Sequence, residues 1–340
     1  MSKVSSEDKL FLLERSFFTL DGLWMIKLEE VSNWEKALKI DLNVWNELLK
    51  IIIRRLKKYL DLRDNCLENL LKILTFRWYV EGWQFEVLPQ HEEYRIEIQK
   101  CPYKSAMDRN PNRHDKIGLI CRDMCIPFYK QIVHNFNPLI TLKRGKFMGL
   151  GDDTCNFTFS YQSKPLKGYS QDINEFSINK ISSADKIFYF EKNFRTLDGL
   201  WVIEAEKELG WEKTLQLDTE VWQDLYKIMF RRVIKHLKIQ DNSLNSLAEI
   251  LTFIWKCEGN FHEIQLINKE QVILKITECP YINSMERNPE RKKYIPSICE
   301  KMCSNYLTPV ISDFNPRINI SKRSSIGMGA ASCDFILQYS

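Results

Sequence analysis

The stretch Thr19-Leu-Asp-Gly-Leu-Trp24 occurs twice in this chain, because the same six residues stand at Thr196–Trp201. Outward from it, Ser5-Ser-Glu-Asp-Lys-Leu-Phe11 is similar to Ser182-Ser-Ala-Asp-Lys-Ile-Phe188. Towards the other end, Cys101-Pro-Tyr103 matches Cys279-Pro-Tyr281, and Phe136-Asn-Pro138 matches Phe314-Asn-Pro316. Self-similarity at a fixed offset indicates a duplicated structural unit. The sequence therefore predicts repeat 1 at residues 1–162, a polar linker at 163–181 and repeat 2 at 182–340.

Within one repeat the hydrophobic period changes from helical to alternating. Helical spacing predicts helices over residues 8–18, 22–30, 44–59, 65–79 and 117–135, with Asp21 and Asp41 as N-caps of the second and third. Alternation predicts strands over 85–88, 94–99, 139–146 and 155–161. Helices kept apart from a small antiparallel sheet define an α+β fold. We expect this fold, with a cysteine-bearing helix, in each repeat.

Composition limits the classes of protein that need to be considered. The chain has 340 residues, 44% of them hydrophobic, which is enough for two domains with buried cores. The net charge of +4 gives no electrostatic reason to expect nucleic acid or an anionic membrane as the partner. Neither a signal peptide nor an apolar run long enough to span a bilayer is visible. We therefore expect a cytoplasmic protein whose cysteines stay reduced.

Eight of the ten cysteines recur at matched positions in the two repeats. In each set, 19 residues separate the first cysteine from the second, three separate the second from the third, and 29 separate the third from the fourth. The predicted metal ligands are Cys101, Cys121, Cys125 and Cys155 in repeat 1, and Cys279, Cys299, Cys303 and Cys333 in repeat 2. The remaining two fail this comparison, because Cys66 aligns with Ser243 and Cys257 aligns with Val80.

This spacing favours a tetra-thiolate metal centre. Cys121 and Cys125 lie four residues apart on a predicted helix and so share a face, with Cys101 at the end of one strand and Cys155 at the start of another. Four converging thiolates suit either Zn²⁺ or a [4Fe–4S] cluster, one per repeat. Two alternatives are small buried hydrophobic cysteines and disulfides, which the matched spacing and the reducing compartment respectively disfavour.

Other candidate chemistry is weaker. None of the five histidines has a counterpart in the other repeat, and Gly149-Leu-Gly151 and Gly327-Met-Gly329 suggest tight turns rather than a phosphate cradle. Arg109 and Arg287 are retained in both repeats, and we expect them to neutralise a metal–thiolate centre or to bind a carboxylate ligand. The repeated tryptophans belong to the core or line a pocket for an apolar ligand.

The cysteine-rich end of each repeat resembles a known domain. Ile120-Cys-Arg-Asp-Met-Cys125, followed by Gly151-Asp-Asp-Thr-Cys155-Asn-Phe157, resembles the end of the 4-vinyl reductase domain, a cysteine-bearing α+β fold associated with small hydrocarbon-like ligands. Repeat 2 departs from this pattern, since Gly329 is followed by Ala-Ala-Ser rather than by an acidic residue. The whole repeat, including Leu20–Trp24, resembles prokaryotic domains grouped with L-2-amino-thiazoline-4-carboxylic acid hydrolase.

These observations predict a cytoplasmic, two-repeat, metal-binding protein that binds or senses a small apolar or carboxylate ligand. The alternative is an enzyme, either a hydrolase of the thiazoline-carboxylate type or an iron–sulfur redox protein. A third interpretation is a structural protein whose repeats form a pseudo-two-fold pair. A closed four-sulfur shell would suit structure or electron transfer, and an open coordination position would suit catalysis.

Overall fold

The computed structural model describes residues 4–90, 93–162, 180–268 and 270–340. Most of the predicted linker, residues 163–179, and part of the turn between the first two strands lie outside them. The first half contains helices α1 (Ser6–Val31), α2 (Trp34–Tyr59), α3 (Leu67–Glu81), α4 (Pro102–Asp108), α5 (His114–Leu119) and α6 (Ile126–Phe136), and strands β1 (Gln84–Gln90), β2 (Glu93–Lys100), β3 (Ile140–Lys143) and β4 (Cys155–Tyr161).

The second half repeats this order of helices and strands. Its helices are α7 (Ser183–Leu209), α8 (Trp211–Leu237), α9 (Leu244–Glu258), α10 (Pro280–Glu286), α11 (Pro289–Lys292), α12 (Ile295–Lys301) and α13 (Cys303–Phe314). Its strands are β5 (Phe261–Asn268), β6 (Gln271–Glu278), β7 (Ile318–Ser324) and β8 (Cys333–Tyr339). The predicted α+β class is confirmed, with each half helical first and then sheet.

Both sheets are antiparallel and have the same strand order. The first runs β1-β2-β4-β3 and the second runs β5-β6-β8-β7. In both, the central pair is formed by the strand that ends before the first conserved cysteine and the strand that begins with the fourth. Ile98 is opposite Cys155 in the first sheet, and Ile276 is opposite Cys333 in the second. The sheet register therefore fixes where the fourth cysteine of each repeat lies.

The long first helix of each half differs from the prediction. Residues 8–18 and 22–30 form one continuous helix, α1, which begins at a capping box of Ser5 and Asp8. Gly22 does not interrupt it, because burial of residues along α1 outweighs the roughly 1 kcal/mol that a helical glycine costs. The N-cap predictions for Asp21 and Asp41 are wrong, since both residues lie inside helices and Asp41 is buried within α2.

The polypeptide divides into two compact units that do not coincide with the sequence repeats. One, here the continuous unit, comprises Trp34–Tyr189. The other, here the discontinuous unit, comprises Met1–Asn33 together with Phe190–Ser340. Helix α1 of repeat 1 thus belongs with repeat 2, where it contacts α8 and α9. The predicted domain boundaries describe the duplication in sequence, and as domain limits they stay a prediction.

The twice-occurring Thr-Leu-Asp-Gly-Leu-Trp segment lies inside the discontinuous unit in both copies. The indole rings of Trp24 and Trp201 stack with 6.0 Å between centroids and 2° between planes. Trp24 donates a hydrogen bond to Asp198, and Trp201 donates one to Asp21. This reciprocal arrangement explains why both Asp and Trp are retained in both copies, and it replaces the predicted capping role of Asp21.

None of the helices that the structure describes combines the length and the apolar character needed to cross a bilayer.

Candidate metal centre

The four matched cysteines of repeat 1, here the first thiol cluster, come from three elements that meet at one end of the sheet. Cys101 follows β2 and caps α4, and its sulfur accepts a hydrogen bond from the Lys104 backbone N–H at 3.5 Å. Cys155 begins β4, and its sulfur accepts one from the Met148 N–H at 3.2 Å. The predicted placements of Cys101 and Cys155 relative to the strands are therefore confirmed.

The helix carrying the other two cysteines is not the single α-helix predicted over residues 117–135. Ile120–Cys125 forms a π-helical turn between α5 and α6, and it contains both Cys121 and Cys125. In repeat 2 the equivalent helix is interrupted at Met302, between Cys299 in α12 and Cys303 in α13. Because local π-helical insertions are frequent at functional sites, this shared interruption singles out the cysteine segment.

A glycine next to the cluster allows the loop backbone to approach one sulfur closely. A Cβ atom at Gly149 would lie 2.3 Å from Cys121 Sγ, which is far inside van der Waals contact. The same holds for Gly327 and Cys299 Sγ, also at 2.3 Å. The turn predicted here is present, since Gly151 adopts a positive φ. Gly149 and Gly327 are needed for a different reason, the close contact with a thiol.

One cation lies beside each thiol cluster at the same sequence offset. The Arg144 guanidinium donates a hydrogen bond to Cys125 Sγ at 3.0 Å and lies over the Phe157 ring, 3.9 Å from its centroid. Lys322 aligns with Arg144, and its ammonium binds the Cys299 carbonyl oxygen at 3.0 Å. This pair is not among the predicted site residues, although a basic residue stands 19 positions after the third cysteine in both repeats.

The predicted arginines, Arg109 and Arg287, lie elsewhere. Both follow a short helix and have exposed side chains. In the part of the chain that the structure describes, Arg144 is the arginine that contacts a cysteine of the first thiol cluster. A role for Arg109 or Arg287 in holding a cofactor or a carboxylate stays a prediction.

The thiols of the first cluster are close enough to affect one another's ionisation. Burial raises the pKa of Cys101 and of Cys121, the latter to about 11, and negative charge on Cys125 and Cys155 raises both further. Burial likewise raises the pKa of Cys155. Burial and mutual repulsion therefore favour the protonated thiols, and the cluster would need added positive charge to hold four thiolates.

The second thiol cluster consists of Cys279, Cys299, Cys303 and Cys333. A hydrogen bond from the Cys303 thiol lowers the pKa of Cys299 to about 6, and the same bond raises that of Cys303 well above its usual range. Burial raises the pKa of Cys279 to about 11, and Cys299 and Cys333 raise it further. Cys333 Sγ accepts a hydrogen bond from the Ile326 N–H at 3.3 Å, as Cys155 does from Met148.

Neither cluster is arranged as a finished ligand shell. Across residues 4–90, 93–162, 180–268 and 270–340, no group of three or more Cys, His, Asp or Glu side chains is placed so that it could hold a metal ion. The donor set nevertheless fits a metal–thiolate centre, because each cluster has four sulfurs, backbone N–H donors to sulfur and a nearby cation. The metal and its identity stay predictions.

A buried polar cluster lies beside the first thiol cluster in the continuous unit. Arg77 and Glu81 form an ion pair at 2.8 Å with side chains 2% and 0% exposed. The Tyr129 hydroxyl accepts hydrogen bonds from the Trp78 indole at 2.8 Å and from Arg77 at 3.4 Å. Burial raises the pKa of Tyr129, and the nearby Cys125 raises it further. The Tyr129 hydroxyl thus contacts the ion pair, and its ring lies 6.0 Å from the guanidinium of Arg144, which binds the Cys125 sulfur.

The discontinuous unit has a counterpart beside the second thiol cluster. The Tyr226 hydroxyl donates to both carboxylate oxygens of Glu258, at 3.3 and 3.2 Å. Tyr306 lies 4.8 Å from Tyr226 between ring centroids, and negative charge on Cys303 adds to the effect of burial in raising the pKa of Tyr306. In both units, a tyrosine three or four residues after the third cysteine thus packs beside a buried polar cluster that contains a glutamate. No sequence signal separated these aromatic residues from ordinary core residues.

Two family models match the chain, one on each repeat. The model of L-2-amino-thiazoline-4-carboxylic acid hydrolase matches residues 12–159, which include the whole first thiol cluster. A family of unknown function, DUF6125, matches residues 177–305, which include Cys279, Cys299 and Cys303 but end before Cys333. No curated protein and no solved structure matches the chain. Residues 12–159 are therefore a domain similar to that hydrolase family, and the resemblance to the 4-vinyl reductase domain stays a prediction.

Proposed function

We propose that this chain is a two-repeat metal–thiolate protein of the cytoplasm that binds or senses a small ligand. In this proposal each thiol cluster holds one Zn²⁺ ion or one [4Fe–4S] cluster. The observation that carries it is the duplicated surroundings of the sulfurs. Met148 and Ile326 donate N–H groups at matched positions, and Arg144 and Lys322 supply a cation at the same offset.

The physical argument for a metal is one of charge. Placing several buried thiols close together disfavours their thiolate forms, because each negative charge raises the pKa of the others. A bound metal cation stabilises all of them as thiolates. Backbone N–H groups directed at sulfur are also what an iron–sulfur cluster uses to set its potential. These considerations support a metal centre without choosing between zinc and iron.

The test is metal analysis on the full chain purified without oxygen. We expect one metal centre per repeat, either as zinc in a colourless protein or as iron with broad visible absorbance. Cys101→Ser should remove the metal of one repeat, whereas Cys66→Ser should remove none, because Ser243 already stands at the matching position in repeat 2. A folded, reduced protein without any bound metal would disprove the metal centre.

The ligand-binding part of the proposal rests on the aromatic side chains next to each thiol cluster. Tyr129 contacts Arg77 and Tyr306 packs on Tyr226, and the two tyrosines follow Cys125 and Cys303 by four and three residues. A ligand there would therefore change the surroundings of the sulfurs. If the centre is an iron–sulfur cluster, ligand binding should shift its visible spectrum. Tyr306→Phe keeps the ring and removes the hydroxyl, and the shift in that variant should be smaller than in the unmodified chain.

A second candidate is a hydrolase of the thiazoline-carboxylate type, which the family match over residues 12–159 favours. Such an enzyme would add water to the ring carbon that carries the amino group and break the bond of that carbon to the ring sulfur, so that the ring opens to a urea and a free thiol. The test is incubation of the purified chain with L-2-amino-thiazoline-4-carboxylic acid, following loss of the ring chromophore. Turnover that Cys121→Ser abolishes and Cys66→Ser retains would support the hydrolase. Absence of turnover by a fully metallated chain would disprove it.

A further inference from the structure

The buried polar clusters of the two units differ at one aligned position. The repeats align Glu81 with Glu258, Trp45 with Trp222 and Tyr103 with Tyr281, so these groups are retained. The distances are retained too: the rings of Trp45 and Tyr103 are 5.5 Å apart, and those of Trp222 and Tyr281 are 5.4 Å apart. Arg77, however, aligns with Ile254. One unit thus carries a cation where the other carries an aliphatic side chain.

In the continuous unit the Arg77 guanidinium occupies a box of aromatic rings with an acid at one side. It donates to Glu81 at 2.8 Å and lies 5.3 Å from the Trp45 ring centroid and 5.9 Å from that of Phe128. A planar cation that is stacked on aromatic faces and paired with a carboxylate is the usual way of recognising a guanidinium group. Arg77 therefore shows which chemical group this arrangement of side chains accommodates.

In the discontinuous unit three buried carboxyl groups lie close enough to affect one another's ionisation, and Ile254 stands at the position of Arg77. They are Asp198, Asp218 and Glu258, with residue exposures of 8%, 4% and 2%. Burial raises the pKa of Glu258 to about 8 and that of Asp198 to about 7. The nearest arginines are engaged elsewhere, since Arg195 binds the Glu258 carbonyl oxygen and Arg291 pairs with Glu206.

Two polar atoms in this region are buried without a hydrogen-bond partner among the described residues. They are Asp218 Oδ1 and the Tyr281 hydroxyl oxygen. The Tyr281 ring lies edge-on to the Trp222 ring, 5.4 Å away between centroids, and the Trp222 indole donates a hydrogen bond to Asp198 at 3.2 Å. A buried polar group left unpaired is destabilising, which favours a bound partner. Both atoms accept hydrogen bonds, and a donor-rich cation would satisfy them.

We propose that the buried polar cluster of the discontinuous unit binds a small organic cation of the amidinium or guanidinium class. The residues that carry it are Asp198, Asp218, Glu258, Tyr226, Tyr281 and Trp222. The cation takes the place that the Arg77 guanidinium takes in the continuous unit, with Glu258 as its counter-ion and Trp222 as its stacking face. This inference rests on the ligand-binding part of the proposed function and names the class of ligand.

The competing explanation is that repeat 2 has no ligand here. In that case Ile254 and the Tyr226 hydroxyl fill the space of Arg77, and the three carboxyls are simply protonated. The two explanations differ in what a small cation does. Binding of a cation to protonated carboxyls releases protons, so the measured binding heat should depend on the ionisation enthalpy of the buffer. A protein without a site gives no saturable heat in any buffer.

The experiment is calorimetric titration of the full chain with methylguanidinium, with methylurea as the neutral isostere. We expect saturable binding of one methylguanidinium per chain, buffer-dependent heat, and no binding of methylurea. Glu258→Gln should weaken binding by about tenfold or more, the usual effect of losing a charged hydrogen bond. Ile254→Arg should abolish binding by placing the cation within the chain.

Two outcomes would overturn the inference. One is absence of saturable methylguanidinium binding by the folded chain, and the other is equal binding of methylurea; neither relies on a variant that might not fold. Metal content measured on the same sample distinguishes failure of the cation site from failure of the proposed metal centre. Bound metal without cation binding removes only the cation site, whereas cation binding without metal removes only the metal centre.

Discussion

The two buried glutamates of this molecule occupy the same place in their repeats and are neutralised in different ways. Glu81 pairs with Arg77 on its own helix, one turn away, inside the continuous unit. Glu258 has the aliphatic Ile254 one turn before it on its helix and accepts hydrogen bonds from Tyr226 instead. The thiol clusters nearby have kept their spacing in both repeats. Duplication has therefore preserved the sulfur framework while the polar interior beside it diverged.

The largest expected effect on stability comes from replacing Arg77 with isoleucine, the residue at the aligned position of repeat 2. Arg77→Ile would leave Glu81 buried without its counter-ion, which should lower the free energy of unfolding by about 3–5 kcal/mol. Urea unfolding followed by tryptophan fluorescence measures it. Ile254→Val, a matched change in the other unit, should cost only about 0.5–1.5 kcal/mol. Equal losses in the two variants would contradict the assignment of Arg77 as the essential cation.

The pH dependence of stability should show how Glu258 is held in the discontinuous unit. Burial raises the pKa of Glu258 from 4.5 to about 8, so the folded state binds its proton more tightly than the unfolded state. Its contribution to stability is therefore fully present below pH 4.5 and is lost as the pH rises to about 8. The groups that face it are Tyr226, Tyr281, Tyr306, Asp198 and Arg195.

Urea midpoints measured across this pH range test the prediction. Glu258→Gln should flatten part of the decline in stability between pH 4.5 and 8. The decline that remains comes from Asp198 and Asp218, because burial also raises their pKa values, that of Asp198 to about 7. Superimposable pH profiles for the variant and the unmodified chain would show that Glu258 is ionised in the folded state.

A methyl group placed against one sulfur should disturb one thiol cluster at a time. Gly149→Ala puts a Cβ atom 2.3 Å from Cys121 Sγ, and such overpacking typically costs about 1–3 kcal/mol. We expect lower stability and loss of the metal of repeat 1. Gly145→Ala is the control in the same loop, because its Cβ would meet only Asn156 at 3.9 Å. Full metal content in Gly149→Ala would contradict the close contact of loop and thiol.

The smallest effect concerns a cysteine outside the clusters. Cys66 occupies the N-cap of α3 without a capping hydrogen bond, whereas Ser243 caps α9 by accepting from the Ser246 N–H. Cys66→Ser should therefore stabilise the chain by about 1 kcal/mol. Thermal unfolding measures the gain, and Cys66→Ala, which has no capping oxygen, should not reproduce it.

Much of the site was accessible from the sequence because the repeat comparison isolates the residues that resisted change. It identified the eight cysteines, and the alternating pattern placed Cys101 and Cys155 at the ends of strands that prove to be neighbours. Arg77 could not be found in this way, since its counterpart is Ile254. Comparison of the repeats selects only residues that both copies share, so it cannot identify a residue that is specific to one copy.

Local patterns also misled where tertiary contacts decide. Asp21 and Asp41 look like N-caps because aspartate before an apolar helical run usually caps it. In the folded chain, Asp21 instead accepts a hydrogen bond from Trp201, which lies 180 residues away. The break in the apolar pattern between residues 18 and 22 likewise suggested two helices, whereas the structure has one. Local periodicity does not show whether burial along a single helix outweighs the cost of Gly22.

The sequence by itself determined the duplication, the α+β class and the spacing of the cysteines, because these follow from residue order and from local hydrophobic period. Tertiary structure decided the rest. It assigned α1 to the unit formed by the other repeat and brought Gly149 against Cys121. It also buried Glu81 with Arg77 and Glu258 with Tyr226. These outcomes depend on contacts between residues that are far apart in the sequence, and short-range sequence patterns do not determine such contacts.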